Sequence, residues 1–122
     1  MATIGDLVTL LHDAGFTVAP PGDTTTALPC VVLSPVRLDL QPGNRLVYHV
    51  IDILPSVQAT PWQEQYTVAV DTAIDVLKAL AGTQYQFSTE IPLETDTDRA
   101  VPAMFHRINV RFAGPDLCPP TP

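Results

Sequence analysis

Leu46-Val47-Tyr48-His49-Val50-Ile51-Asp52-Ile53-Leu54 decides the fold, because Pro55, Pro61 and a long helical pattern ending at Gly82 follow it directly. The stretch is dominated by β-branched and aromatic residues, which suit a strand. In the helix after it, Thr60 is placed to cap, Pro61 to fill the first helical position and Gln63 to complete a capping box. Trp62, Tyr66, Ala69, Val70, Ala73, Leu77 and Leu80 then recur at helical spacing, while Glu64, Asp71, Asp75 and Lys78 fall on the other side. A helix of about 21 residues would be a rod of ~31 Å, long enough to cross a small sheet.

Upstream, Ile4 to Ala14 reads as a short helix. Thr3 is its cap, Asp6 stands three residues on as a short variant of the capping box, and Ile4, Leu7, Val8 and Leu11 form one stripe. Gly15-Phe16 has the pattern of a helix stop, with glycine in the left-handed position. Ala19-Pro20-Pro21-Gly22-Asp23 is then a loop with Thr24-Thr25-Thr26 at its exposed margin. Leu28 to Leu33 does not alternate, so a strand buried on both faces is expected, ended or kinked by Ser34-Pro35. Val36-Arg37-Leu38-Asp39-Leu40 does alternate, which suits a half-exposed strand or an extended arm. Pro42-Gly43-Asn44 is a turn signal.

Downstream, Tyr85, Phe87, Thr89 and Ile91 share one face of a strand that ends at Pro92, and Glu94 to Arg99 is a polar, exposed linker. A last strand places Met104, His106, Ile108, Val110 and Phe112 opposite Phe105, Arg107, Asn109 and Arg111. The expected architecture is α+β: a mostly antiparallel sheet of four to five strands, one long helix packed on a face, and a short N-terminal helix. Residues 1–112 form one domain, and 113–122 a proline-rich extended tail.

The 122 residues suffice for a single core, and an apolar fraction of 46% argues against general disorder. A net charge of −7 repels phosphate backbones and disfavours nucleic-acid binding. No apolar run is long enough to span a membrane, and Asp6 and Asp13 interrupt any signal-peptide pattern, so a cytosolic origin is expected. In a reducing compartment Cys30 packs as a small hydrophobe rather than bridging Cys118.

No catalytic, cofactor or metal constellation emerges. Glu94, Asp96 and Asp98 alternate like a calcium loop, but Arg99 stands where glycine is needed and Phe105 where the last glutamate belongs. His12, His49 and His106 lie on three elements without ligand spacing. His49 and Asp52 are three apart on a strand and point to opposite faces. Ser34, Ser56 and Ser88 lack a nearby base, and the glycines are scattered as turn and cap residues. Two features suit an interface. Arg107, Asn109 and Arg111 form a local basic face that is either solvated or matched to an acidic partner. Val36, Leu38 and Leu40 form either a plain hairpin strand or an arm reaching a neighbour.

The order of elements is the strongest remaining signal. A short helix, a strand at Pro29-Cys30-Val31-Val32-Leu33, a turn, a long strand ending in Pro55 and one long helix are followed by two strands. The last of these, preceded by Val101-Pro102, reads Arg107-Ile108-Asn109-Val110-Arg111-Phe112. This order resembles the tail terminator proteins of long-tailed bacteriophages over residues 1 to about 112, with Tyr48 to Leu80 the strongest local piece. The resemblance implies a non-enzymatic virion protein without cofactor. It would assemble as a homo-oligomeric ring, typically a hexamer, between the tail tube protein below and a neck or head-completion protein above, with DNA passing through the lumen. Another neck or tail-completion subunit, or a small acidic binding domain such as an immunity protein, stands as the alternative.

Overall fold

A computed structural model of the chain describes residues 3–22, 25–40 and 47–114. Within them the order is α1 (Ile4–Asp13), β1 (Val18–Ala19), β2 (Cys30–Leu40), β3 (Val47–Gln58), α2 (Trp62–Leu80), β4 (Gln86–Phe87), β5 (Leu93–Asp96), β6 (Ala103–His106) and β7 (Ile108–Ala113). The class is α+β, as expected. The sheet is larger than four to five strands: it has seven, with β1-β2-β3-β6-β5 as its main path and β7 joining β3 to β4. It is also mixed, since β1 runs parallel to β2 while the other pairs are antiparallel. The turn at Pro42-Gly43-Asn44, Thr24, Leu46, Cys118 and the tail beyond Gly114 lie outside the described residues.

α1 forms for the reasons legible in its sequence. The Thr3 side chain accepts from the Asp6 amide at 3.2 Å, and the Asp6 carboxylate accepts from the Thr3 amide at 2.9 Å, closing a capping box. At the other end Gly15 has φ 96°, its amide donates to His12 O and the Phe16 amide donates to Leu11 O. This pair of reverse bonds satisfies carbonyls that the last turn would leave open.

The start of α2 differs from expectation. Pro61 is the N-cap, with extended backbone (φ −72°, ψ 129°) and no side-chain cap bond, and Trp62 is the first helical residue. Because the helix begins one residue late, Thr60 lies before the cap position and Gln63 is out of frame for a capping box. Glu64 in the first turn and Lys78 in the last instead complement the helix dipole. The helix has 19 residues, about 28 Å, and Gly82 at φ 75° follows its end. Only the later part of its apolar stripe is covered: Ala69, Ala73, Val76 and Leu80 are buried, whereas Trp62 and Tyr66 are exposed.

β3 is the spine. It does not stop at Pro55 but runs on to Gln58, paired with β2 on one side and with β7 and then β6 on the other. β6 and β7 keep one register against β3, so they are a single ribbon interrupted at Arg107. Proline at position 55 has no amide to give the ladder there, and the Arg107 amide donates sideways to Pro92 O at 2.9 Å. β2 likewise passes through Pro35, absorbing it as a register shift between Pro35 and Arg37 rather than ending. The apolar Leu28–Leu33 stretch, buried from Cys30 onward, and the alternating Val36–Leu40 stretch are therefore parts of one strand that begins at Cys30.

Two further expectations change. The polar linker Glu94 to Arg99 overlaps edge strand β5, which starts at Leu93, and Arg99 is buried with its guanidinium donating to Thr26 O. Ala113, assigned to the tail, is the last residue of β7. The core lies between the helices and one face of the sheet, where Leu7, Leu11, Ala73, Val76 and Leu80 meet Val31, Leu33, Ile51, Ile53, Ile108, Val110 and Phe112. Cys30 is buried in a smaller cluster with Ala19 and Val32.

Candidate interface surfaces

The face of the sheet away from the helices carries a polar network. Asp52 and Asn109 are direct cross-strand partners, and Asn109 Nδ2 donates to Asp52 Oδ1 at 2.9 Å. Arg107, two residues before Asn109 on the same face, donates from Nη1 to Asp52 Oδ2 at 2.6 Å. Its remaining fork grips Glu94 on β5 in two places: Nε donates to Oε2, and Nη2 to Oε1 at 3.1 Å. One guanidinium thus ties the spine to the edge strand, a geometry that lysine could not reproduce. The hydrogen bonds that Arg107 donates to Glu94 hold its pKa above its usual value; burial opposes this, and Asp52 reinforces it.

Arg111 stands apart, its guanidinium carbon 4.2 Å from the centre of the Tyr48 ring and its Nε enclosed without a hydrogen-bond partner among the described residues. Of the basic face read from the sequence, Arg107 and Asn109 are joined to Asp52 and Glu94 within the chain, and Arg111 packs on an aromatic. The Arg107 charge is thus answered within the chain, whereas no carboxylate is paired with Arg111 among the described residues. Asp52 and Glu94 were missed as partners. The available signal was a lone carboxylate in the middle of the most apolar strand, which a buried site tolerates only with a cation or donors beside it.

Val36, Leu38 and Leu40 behave differently, with exposures of 47%, 57% and 57%. Leu38 and Leu40 pair with His49 and Val47, so they lie on the helix side of the sheet. Among the described residues nothing pairs with the outer edge of β2 from Leu33 to Leu40, because β1 covers only Val31 and Val32. An open groove of about 460 Å³ lies at the root of this arm, lined by Ile4, Pro35, Val36, Leu38, His49 and Ile51. His49 forms its wall, stacked on Phe112 with ring centroids 5.1 Å apart.

The other sites weighed from sequence are scattered. His106 Nδ1 lies 3.3 Å from Ile91 O, its ring is near Tyr66, and its Nε2 is enclosed without a partner among the described residues. His12 is in the last turn of α1. In the suspected calcium loop Glu94 is held by Arg107, and Asp96 Oδ1 accepts from the Asp98 amide. Among the described residues no group of His, Cys, Asp or Glu side chains is placed to hold a metal ion, and no helix is long and apolar enough to cross a membrane. The chain matches no protein-family model and no curated protein.

Proposed function

We propose that this chain is a structural virion protein that caps the tail tube of a long-tailed phage as a ring and joins it to the head or neck. The observation that carries the reading is the order of elements: a capped short helix, a mixed, mostly antiparallel sheet on a long central strand, and one dominant helix laid across a single face. The exposed arm Val36–Leu40 supports it, because a ring subunit needs apolar surface outside its own core. The acidic balance is compatible with a lumen that lets DNA pass without sticking.

The test is to mix the purified chain with tail tubes and image them. A ring seated at one end of each tube is the expected result; a chain indifferent to tubes would sink the reading. In a phage carrying the gene, its deletion should leave headless tails of uncontrolled length.

A second reading is a small acidic binding domain that neutralises a basic partner, as an immunity protein does. It draws on the charge of −7 together with the internal pairing of Arg107. Its signature would be a tight complex with a basic protein that weakens steeply as salt is raised.

A further inference from the structure

The sheet face away from the helices leaves one arginine over. Cross-strand partners share a face, so Val50 puts Arg37 of β2 and Arg111 of β7 in one row, and Gln86 of β4 lies opposite Arg111. Arg37 is bonded to Asp39, and Arg107 to Asp52 and Glu94. Among the described residues no carboxylate is paired with Arg111.

Its guanidinium is nevertheless held in place. Tyr48 is a diagonal neighbour across β3, and the guanidinium carbon lies 4.2 Å from the centre of its ring. That contact restrains the planar fork, so less freedom is lost when the fork is grasped. Nε is the one nitrogen of the three that is enclosed without a partner among the described residues, which leaves the Nη1–Nη2 edge to meet a ligand. Gln86 is exposed, and among the described residues no strand pairs with the outer side of β4. The approach is therefore open from that edge, and the Gln86 amide supplies a further N–H donor without adding charge.

We propose that Arg111, stacked on Tyr48 and flanked by Gln86, is a binding site for a single carboxylate. A planar acid matches the guanidinium fork with two parallel hydrogen bonds, and Gln86 is placed to donate a third. Phosphate fits less well on grounds of charge. Asp52 is the other diagonal neighbour of Arg111, about 7 Å away across the strands, and the whole chain carries −7. A monoanion meets less repulsion there than a dianion. The same chemistry recognises a free organic acid and the Asp or Glu side chain of a partner protein. The site stands independently of the tail-tube reading.

Side-chain resonances of Arg111 in the isotope-labelled full chain test it. Sodium acetate, titrated against sodium chloride at equal ionic strength, should move the Arg111 Nε–H signal to saturation, and sodium phosphate at that ionic strength should move it less. A capped peptide holding one glutamate separates the two sources. Binding tighter than acetate assigns the site to a partner's side chain, and binding no tighter assigns it to a free acid.

Two variants, each checked for folding by thermal melts, separate the fork from the charge. Arg111→Lys keeps the charge and loses the fork, so acetate binding, followed on the backbone amides of residues 86 and 111, should weaken roughly tenfold. Gln86→Ala, at an exposed site, should weaken binding while leaving the melt unchanged. No saturation with either carboxylate probe, a shift that chloride or phosphate reproduces, or an Arg111→Lys protein that binds acetate like the parent would each overturn the assignment.

Discussion

Ile53 and Asp52 are neighbours on β3, yet the two faces of the sheet they serve are held by different forces. Ile53 is fully buried among apolar side chains from both helices and four strands. Asp52, 8% exposed, sits on the other face with each carboxylate oxygen taken by a donor. Burial of Ile53 is non-directional and scales with area, so the helix face tolerates exchange of one apolar shape for another. The Asp52 face is directional: its members are stable together and costly singly.

The sharpest break of that contrast is Ile53→Ala. It should cost about 2–5 kcal/mol, because the cavity opens between strand and helix where neither can collapse easily; urea unfolding measures it. On the opposite face, Arg107→Leu should cost about 1–3 kcal/mol, less than a fully buried pair would, because solvent reaches the Arg107 and Glu94 side chains (35% and 38% exposed) while Asp52 is left without its cation. Asp52→Leu should cost less, since Arg107 keeps its two bonds to Glu94. Replacing Asp52, Arg107 and Glu94 together with apolar residues should recover most of the Arg107→Leu loss. If the triple variant is instead the least stable, the network contributes more than mutual compensation.

Much of the helix face was legible in the chain because its signals are local. Thr3 with Asp6 and Gly15 with Phe16 act within a few residues, and both ends of α1 formed as read. The features that escaped depend on what arrives from elsewhere. β1 has two residues and shows no period; its existence depends on β2 passing alongside. β5 looks like a loop because an edge strand is exposed along one side and carries Glu94 and Asp96. Pro35 reads as a stop, but a register shift lets the strand pass it. Arg107, Asn109 and Arg111 were correctly placed on one face, yet their partners could be named only once β3 and β5 had taken their registers. Arg107 and Asp52 are 55 positions apart.

Gly114 tests the margin of the helix face. A Cβ there would fall 2.1 Å from His49 Nε2, and the His49 ring cannot yield freely because it stacks on Phe112. Gly114→Ala should therefore cost about 1–3 kcal/mol through overpacking, and Gly114→Ala with His49→Ala should relieve the clash. A Gly114→Ala protein as stable as the parent would mean that the His49 ring moves aside at little cost.

Tyr85 sharpens the contrast through pH. Its ring meets Phe112 edge-on at 5.3 Å. Burial holds its phenol pKa above the usual value; the Gln84 hydrogen bond lowers it and Asp6 raises it. A folded pKa above the unfolded one means that the tyrosine contributes stability below about pH 10 and loses it as pH rises through the folded value. Tyr85→Phe should cost no more than about 1 kcal/mol at neutral pH, and the deficit should shrink or reverse in strongly alkaline buffer. Melting curves that fall in parallel for the two proteins would exclude this ionisation as a source of alkaline unfolding.

The smallest effect on the isolated chain belongs to Leu38, five residues beyond Leu33 on the same strand. Leu33 is buried in the core, whereas Leu38 is more than half exposed and lines the open groove. Leu38→Ala should change the stability of the dilute protein by about 0.5 kcal/mol or less, as is usual for surface sites. Leu33→Ala should behave like Ile53→Ala. The two leucines diverge further when concentration is raised. Anything that binds only the folded chain stabilises it by mass action, so if the arm docks on a second copy, parental stability climbs with concentration and that of Leu38→Ala stays flat. A large loss on Leu38→Ala in dilute solution would show that the outer half of β2 is already packed within one chain, leaving no apolar arm to offer a neighbour.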